Sequence, residues 1–443
     1  MRAVAWNGLL VFLTLTSRLC FGGSAELVFS AQGVASQGDR SVFATPIAYR
    51  DGHLALAQVE HPVAGDGSGY LQTVLYLGER YASGEWTWQS KVIESRTLND
   101  PYHAQPSVAF DKHGFVHIAY NMHHVPWQYA RSRRPLDVSD MAFLGESVSL
   151  AELNTIRLHN KTYFPGGGRA AIPGNQITYP AFFLDRQDDL YVTYRFASRP
   201  ARAWEDRGYA VGLAKYDVAE SRRRPLGGAL KPARGDVLGS PDTRAKGFVR
   251  DERYLPYLVT LAFDASNGMH AVWTWWDSLS GLARSKTLGP THAFFPNAEL
   301  IDVETSWASS RRVPGWPTGT LFNTAKAAAV AQNGDLLVIF EEHGRGRQLV
   351  RLIKETGDWG VPVPAPHGAS KILVSRDGTE WGIASGLKVM HRRPGGAWSA
   401  PWRVGDGLCD PAPVYSEEDN SIYVRAKNCQ GQDRSFIYRL SLD

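Results

Sequence analysis

The chain has 443 residues, of which 43% are hydrophobic and 21% charged, proportions that indicate a globular protein with enough apolar side chains for a large core. The formal net charge of +4 excludes the strongly basic balance of a general nucleic-acid binder. With 43 glycines, 25 prolines and 14 tryptophans, the composition favours turns and β-structure over long helices.

Residues 1–25 have the features of a secretory signal peptide. Arg2 precedes an apolar run over residues 8–15, and small residues end the segment at Ala25. The run is too short to span a membrane, so we expect export with cleavage after Ala25. Cleavage would remove Arg2 and Arg18, lower the formal charge from +4 to +2 and leave residues 26–443 as one domain.

Two cysteines, Cys409 and Cys429, remain in that mature chain. An exported protein folds in an oxidising compartment, so a disulfide between them is expected. Two cysteines are too few for a zinc cluster or a redox centre.

One pattern recurs seven times: a short apolar strand, a turn rich in Asp, Gly or Asn, and a second apolar strand. The copies start at Ala44, Gln105, Thr178, Tyr257, Ala325, Ala369 and Ala412. Strands at this density without helical periodicity predict an all-β, seven-bladed β-propeller. Only three strands can be counted in the last copy, so we expect residues 26–30 to complete that blade and close the ring.

The copies are unevenly spaced, and the longest insertions flank the second to fourth repeats. Segments 133–176 and 199–250 are long and rich in Gly and Arg. We expect them to be loops that wall a substrate cleft.

The segment from His103 to His124, HAQPSVAFDKHGFVHIAYNMHH, predicts a hairpin. Its turn ends in Gly114, which tolerates positive φ. Antiparallel pairing about this turn makes facing residue numbers sum to 226. We therefore expect His103 and His123 to lie side by side at the open end.

A second hairpin follows in ITYPAFFLDRQDDLYVTYR, which starts at Ile177. Facing numbers now sum to 374, which places Tyr179 opposite Arg195. Either pair alone is ordinary for strands. Two imidazoles, a phenol and a guanidinium at equivalent ends of successive hairpins favour proton chemistry beside a carboxylate.

Several other site types are missing from the sequence. It contains no phosphate-binding Gly-rich loop, no G-x-S-x-G elbow and no HExxH helix. His117, His123 and His124 resemble a metal cluster, but His117 follows the strand alternation and His124 points opposite to His123. The identity of any metal stays open, including a structural calcium or zinc ion. Residues 375–381 resemble the Asp-box turn of sialidase-like propellers, which is a fold element.

The two hairpin sequences, the first read on as far as VPWQYARS, resemble the BNR-repeat propeller family that includes the ulvan lyases and the rhamnose-glucuronate lyases acting on gum arabic. The resemblance is strongest over residues 100–200. Its most specific parts are the paired histidines and the TYP and YR motifs. It implies a seven-bladed polysaccharide lyase whose catalytic group is His103, His123, Tyr179 and Arg195. The continuation FASRP after YR differs from the Gly/Ser-rich one of the ulvan enzymes and leaves a rhamnosyl-glucuronate substrate open.

These residue types suit β-elimination. Removing the C5 proton of a uronic acid builds negative charge on its carboxylate, and Arg195 has the planar, permanently charged group to neutralise it. His103 is the expected base. Tyr179 either protonates the leaving glycosidic oxygen or takes the C5 proton itself beside Arg195. His123 orients the carboxylate or supports His103.

Further candidates for substrate contacts are Asn121, Arg199, Arg253 and Tyr254, whereas Trp273 is expected in the core. We expect a secreted monomer that acts on an acidic polysaccharide, binds no nucleic acid or membrane and needs no cofactor for catalysis. A propeller glycoside hydrolase of the rhamnosidase kind and a non-catalytic carbohydrate-binding propeller remain alternatives, since propellers host all three.

Overall fold

The computed structural model describes residues 23–32, 44–61, 71–95, 105–125, 127–144, 175–197, 209–216, 230–238, 254–277, 286–296, 311–312, 320–321, 324–342, 346–430 and 434–442. Within these ranges thirty strands form seven antiparallel sheets. A single turn of 3-10 helix, Pro366–Gly368, accompanies them. No helix in the described ranges is long and apolar enough to cross a bilayer.

The strands of the first half of the chain are β1 (Gly23–Gln32), β2 (Ile47–Arg50), β3 (His53–Glu60), β4 (Gln72–Arg80), β5 (Trp86–Glu94), β6 (Ser107–Phe110), β7 (Val116–Ala119), β8 (His123–Val125), β9 (Tyr129–Arg134), β10 (Asp137–Phe143), β11 (Asn175–Leu184), β12 (Leu190–Ala197), β13 (Tyr209–Tyr216) and β14 (Leu230–Leu238). Those of the second half are β15 (Tyr254–Phe263), β16 (Met269–Asp277), β17 (Lys286–Phe295), β18 (Arg311–Arg312), β19 (Thr320–Leu321), β20 (Thr324–Val330), β21 (Leu336–Glu342), β22 (Gly346–Leu352), β23 (Val363–Pro364), β24 (Ala369–Val374), β25 (Glu380–Ala384), β26 (Lys388–Arg392), β27 (Trp402–Arg403), β28 (Leu408–Ser416), β29 (Ser421–Asn428) and β30 (Arg434–Leu442).

Each sheet is one blade. Blade 1 is β2-β3-β4-β5, blade 2 is β6-β7-β9-β10, blade 5 is β20-β21-β22-β23 and blade 6 is β24-β25-β26-β27. Blade 3 is β11-β12-β13-β14 with β8 added beside β11, and blade 4 is β15-β16-β17 with the short β18 and β19. Blade 7 is β28-β29-β30-β1. The seven-bladed propeller predicted from the repeats is therefore confirmed.

The first strand of every blade lines the centre of a closed ring. β2 contacts β6, β6 contacts β11, and the contacts continue through β15, β20, β24 and β28 back to β2. The apolar core lies between the blades as seven separate clusters, one for each blade interface. Trp127 is fully buried between blades 2 and 3, and Trp273 is buried between blades 3 and 4, as predicted for Trp273.

The ring is closed by the N-terminal strand. β1 pairs with β30 from Gly23 opposite Leu442 to Gln32 opposite Arg434, so the predicted residues 26–30 do supply the outer strand of blade 7. Cys409 and Cys429 form the predicted disulfide in the same blade, with Cα atoms 5.9 Å apart. Strand pairing and a covalent bond thus both hold the closing blade together.

Carboxylates stabilise the turns after the first strands. Asp111 Oδ1 accepts hydrogen bonds from the N–H groups of His113 and Phe115, and Asp185 and Asp264 make the same pair of bonds in blades 3 and 4. This is why short polar turns recur at that position in the sequence.

The turn at residues 375–381 has the hydrogen bonds of an Asp-box. Asp377 Oδ1 accepts from the N–H of Thr379 at 3.0 Å. The Trp381 indole N–H donates to Ser375 Oγ at 3.2 Å.

Two sequence predictions about connections were wrong in part. The presumed loop 133–176 contains β10, and the presumed loop 199–250 contains β13 and β14, which are outer strands of their blades. Outer strands carry a weak alternation because solvent replaces a neighbouring blade on part of their surface, and they were therefore mistaken for loop.

Candidate active site

The first predicted hairpin forms with the expected register near its turn. Ser107 faces Ala119 and Phe110 faces Val116, so the residue numbers do sum to 226. The second strand of this hairpin, β7, ends at Ala119, however, and does not continue in pairing with β6 as far as His123.

His123 belongs instead to β8, which joins the next blade. It faces Thr178 of β11, and Val125 faces Ile177. His123 therefore pairs with blade 3, and His103, which we expected beside it, lies outside the described residues. Residue 121, between β7 and β8, has a left-handed backbone with φ of 52°, which turns the chain out of one sheet and toward the other.

The second hairpin contains a β-bulge at Tyr179. Close to the turn, Ala181 faces Thr193 as predicted, but Thr178 faces Arg195, so Tyr179 and Pro180 together oppose the single residue Tyr194. The predicted pairing of Tyr179 with Arg195 in the ladder was wrong by one residue. Tyr179 has φ of 58°, a conformation that costs a non-glycine residue roughly 1–2 kcal/mol.

The two predicted side chains nevertheless lie in contact across the bulge. The guanidinium carbon of Arg195 lies 4.8 Å from the centre of the Tyr179 ring, a cation–π geometry. Both residues are 6% exposed. Burial at low dielectric strengthens the attraction between such a guanidinium and an incoming carboxylate.

His123 lies on the same side of the sheet as Arg195. Residues that face one another across a ladder point their side chains to the same face, and Thr178 faces His123 on one side and Arg195 on the other. Two strand spacings separate the backbones of His123 and Arg195, roughly 10 Å. His123 is partly exposed, so an imidazole, a phenol and a guanidinium occupy one end of blade 3.

The remaining predicted residues are only partly described. Asn121 is buried, with 3% exposure, beside His123 in the chain. Tyr254 is the first residue of β15, where its backbone faces Asp277. His103, Arg199 and Arg253 lie outside the described residues.

His117 does not share a site with His123. It is fully buried, its Nδ1 lies 2.6 Å from the Tyr129 hydroxyl and its Nε2 lies 3.1 Å from Asp111 Oδ2. Burial lowers the pKa of His117, against the opposing effect of Asp111. No group of three or more His, Cys, Asp or Glu side chains in the described part of the chain is arranged to hold a metal ion.

A cavity lies at the other end of the central channel. It has a volume of about 570 Å³ and is lined by residues at the turn ends of the inner strands, among them Tyr49, Asp188 and Glu417. The nearest lining residue on β11 is Phe183, four positions from Tyr179 and roughly 13 Å away at about 3.3 Å per residue. The cavity is therefore distinct from the Tyr179–Arg195 pair.

Sequence reasoning missed two residues near the Tyr179–Arg195 pair, one in blade 3 and one in blade 2. Thr178 separates His123 from Arg195, and Ser107 of β6 donates a hydrogen bond to the carbonyl of Pro180 at 2.6 Å. The signal for the bulge was present, because Pro180 has no N–H to donate to a ladder and proline inside a strand marks a break in pairing. Nothing in the sequence pointed to Ser107.

Comparison with known proteins agrees with the fold. Residues 71–299 match the family described as BNR repeat-containing family member. No curated protein sequence matches the chain significantly. Among solved structures, the polysaccharide lyase Uly1 superimposes over 90% of both chains with 14% identity and a TM-score of 0.60.

Two further solved structures are similar at lower scores. An oligogalacturonate lyase in complex with manganese covers 97% of this chain and 96% of its own, with 11% identity and a TM-score of 0.44. The α-L-arabinanase of Penicillium chrysogenum covers 77% of this chain and 94% of its own, with 10% identity and a TM-score of 0.43. The likeness to Uly1, at 14% identity, supports the propeller fold alone and leaves the chemistry to the residues of the site.

Proposed function

The chain belongs to the BNR repeat-containing family, and within it we propose that the protein is a secreted polysaccharide lyase that cleaves the C4–O bond of a uronic acid by β-elimination. The observation that carries this proposal is the contact of Arg195 with Tyr179 at the end of blade 3 where His123 lies in the strand beside Thr178. The likeness of the fold to a polysaccharide lyase is consistent with it.

The proposed reaction breaks the C5–H bond and the C4–O bond of the uronic acid and forms a C4–C5 double bond. A base takes the C5 proton, the electron pair moves into the new double bond, and the glycosidic oxygen leaves with a proton from an acid. Charge builds on the carboxylate as the C5 proton departs. A fixed cation beside that carboxylate therefore stabilises the transition state more than the ground state.

Arg195 is that cation in our proposal. A guanidinium presents its N–H donors in a planar fork that matches a carboxylate, and it stays charged at every relevant pH. Its backbone is held in the middle strand of a ladder, between Thr178 of β11 and Val211 of β13. That support suits a group whose task is to hold one geometry.

Tyr179 is the proposed proton-transfer group next to it. Its ring lies against the guanidinium, and in our proposal the phenol either protonates the leaving glycosidic oxygen or takes the C5 proton. His123 would orient the substrate carboxylate from the other side of Thr178. His103 remains our proposed partner base, and it lies outside the described residues.

The proposed substrate class rests on the two hairpin sequences that carry these residues. We propose a linkage between rhamnose and glucuronic acid, as in gum arabic or ulvan, because the hairpin sequences resemble lyases of that kind. Export fits the disulfide Cys409–Cys429, which needs an oxidising compartment. In our proposal Arg195 neutralises the negative charge of the substrate carboxylate, which is the task a metal ion would otherwise perform. We therefore propose that turnover needs no metal ion, and activity that persists in EDTA would support this.

The direct test is incubation of the purified mature protein with gum arabic, ulvan and other uronate polysaccharides. The C4–C5 double bond of the product conjugates with the carboxylate and absorbs in the ultraviolet, and the product mass is one water lower than that of a hydrolysis product. A rise in absorbance with that mass supports the lyase. Saturated products would assign a glycoside hydrolase, and affinity without any product would assign a binding propeller.

A further inference from the structure

Two hydroxyl groups from outside blade 3 bind the backbone next to Tyr179. Ser107 Oγ, in blade 2, donates to the carbonyl of Pro180 at 2.6 Å and accepts from the N–H of Thr45 at 2.9 Å. Thr45 Oγ1, which precedes blade 1, accepts from the N–H of Phe182 at 3.0 Å. We call Thr45 and Ser107 the hydroxyl clamp.

The clamp bonds the part of β11 where pairing with β12 is irregular. Pro180 has no N–H, and the left-handed backbone of Tyr179 breaks the ladder between Thr178 and Ala181. Backbone polar groups buried at a bulge need other partners. The clamp supplies them on both sides of residue 181, at the Pro180 carbonyl and the Phe182 N–H.

The innermost strands of blades 4 to 7 also contain register shifts. They lie between Tyr257 and Val259, Ala325 and Ala327, Ala369 and Lys371, and Cys409 and Ala412. A bulge is thus a feature of this blade type, and in blade 3 it carries the side chain that contacts Arg195. The exact path of the bulge decides where the phenol of Tyr179 points.

We propose that Ser107 and Thr45 are positioning residues for Tyr179: the clamp sets the bulge that places the phenol against Arg195. The effect on turnover rests on the proposed lyase function, whereas the effect on geometry does not. Loss of the clamp relaxes the bulge and misplaces a proton-transfer group, and misplacement by about 1 Å can cost ~10²-fold in rate.

The chain offers a matched control in Ser132. Like Ser107, it is completely buried. Its Oγ accepts from the N–H of Val116 at 2.9 Å and donates to the carbonyl of Arg134 at 2.8 Å, near the turn end of blade 2. Ser107→Ala and Ser132→Ala therefore each remove one donated and one accepted backbone hydrogen bond. The bonds of Ser107 lie beside Tyr179, and those of Ser132 lie far from it.

The experiment compares kcat, KM and melting temperature of the two alanine variants on the most active uronate polysaccharide. We expect the two alanine variants to lose similar amounts of melting temperature. Only Ser107→Ala should lose kcat, by roughly 10- to 100-fold with little change in KM. Ser107→Thr should recover most of the turnover. Equal kcat values for the two alanine variants would overturn the proposal. If Ser107→Ala does not fold, Thr45→Val takes its place, since it removes the acceptor for Phe182 and keeps the side-chain shape.

A second readout is independent of activity. In crystal structures of the two variants we expect the Tyr179 ring to move away from Arg195 in Ser107→Ala and to keep its position in Ser132→Ala. An unmoved ring in Ser107→Ala would overturn the clamp even in an active enzyme. If the wild type lacks lyase activity but the Tyr179 ring moves in Ser107→Ala, the proposed function is refuted and the clamp is supported.

Discussion

The guanidinium of Arg195 stacks on the ring of Tyr179 although its partner in the β-ladder is Thr178. Unbroken pairing counted from the turn would place Tyr179 itself opposite Arg195. The bulge inserts one extra residue into β11 and puts Thr178 in that position instead. Tyr179 and Arg195 still touch across this irregularity, so the chemistry proposed for them is open to small, well-defined substitutions.

Tyr179→Phe removes the phenolic oxygen and keeps the ring on which Arg195 stacks. If the phenol transfers a proton in the rate-limiting step, kcat on a uronate polysaccharide falls by ~10²–10⁴-fold. The melting temperature stays close to that of the wild type, because the aromatic contact remains. The assay is the ultraviolet absorbance of the unsaturated product under saturating substrate.

A matched control for this substitution is Tyr191→Phe. Tyr191 also lies under a cation, with Lys215 Nζ 5.4 Å from its ring centre, but it is the second residue of β12, at the turn end of the same blade. We expect Tyr191→Phe to keep its kcat. An equal loss in both variants would show that the effect is structural and would remove Tyr179 from the mechanism.

Arg195→Lys keeps the charge and loses the planar fork. A lysine ammonium is a point charge that cannot bind a carboxylate in a bidentate manner. We expect kcat/KM to fall by roughly 10²–10³-fold, the range seen when one transition-state donor is lost. The measurement is steady-state kinetics together with the melting temperature, and a variant with unchanged kinetics would contradict the assignment of Arg195 as the carboxylate partner.

The global architecture could be predicted from the sequence because it depends on many residues that agree. Seven copies of a strand–turn–strand pattern predicted seven blades, and the missing strand of the last copy predicted closure by residues 26–30. Each blade buries its alternating apolar residues between two neighbours, so the pattern survives a few exceptions.

The site was harder to predict because it depends on exceptions. Counting residues from the turn assumes an unbroken register, and that assumption failed at Pro180, where proline interrupts the ladder. His123 leaves its own hairpin for the next blade through the left-handed Asn121, an event without a sequence signal of its own. Tyr179 and Arg195 still meet because a one-residue shift moves a side chain by less than the reach of tyrosine and arginine.

Removal of the disulfide should weaken the closing blade. The bond Cys409–Cys429 spans 20 residues, and a loop of this size constrains the unfolded chain by about 3 kcal/mol. We expect the double variant Cys409→Ser and Cys429→Ser to lose ~2–4 kcal/mol of unfolding free energy in urea titrations. A reducing agent should lower the wild type to the same value and leave the double variant unchanged. Equal stability of oxidised and reduced wild type would contradict the prediction.

A buried histidine pair between blades 4 and 5 should make the fold sensitive to acid. His270 Nδ1 lies 3.0 Å from His292 Nε2, and the ring edge of Trp359 packs on His292. Burial lowers the pKa of His270 to about 4, with Asp264 opposing and Lys354 adding to the shift. Burial and the neighbouring His270 lower the pKa of His292 to about 3.

Both histidines are therefore neutral in the folded protein at pH values where the unfolded chain already binds protons. In the unfolded chain the pKa of each histidine is near 6.5. The unfolding free energy is therefore unaffected by these two groups above pH 6.5, and it falls as the pH drops from 6.5 toward 4 for His270 and toward 3 for His292. Each histidine adds a slope of about 1.4 kcal/mol per pH unit to the unfolding free energy in that window. In urea titrations between pH 7.5 and pH 4.5, replacing both His270 and His292 by Gln should flatten this decline, because Gln keeps a hydrogen bond and binds no proton. His53→Gln, at the β2–β3 turn, should retain the wild-type decline, and an equally steep decline in the double variant would mean that other groups cause the acid sensitivity.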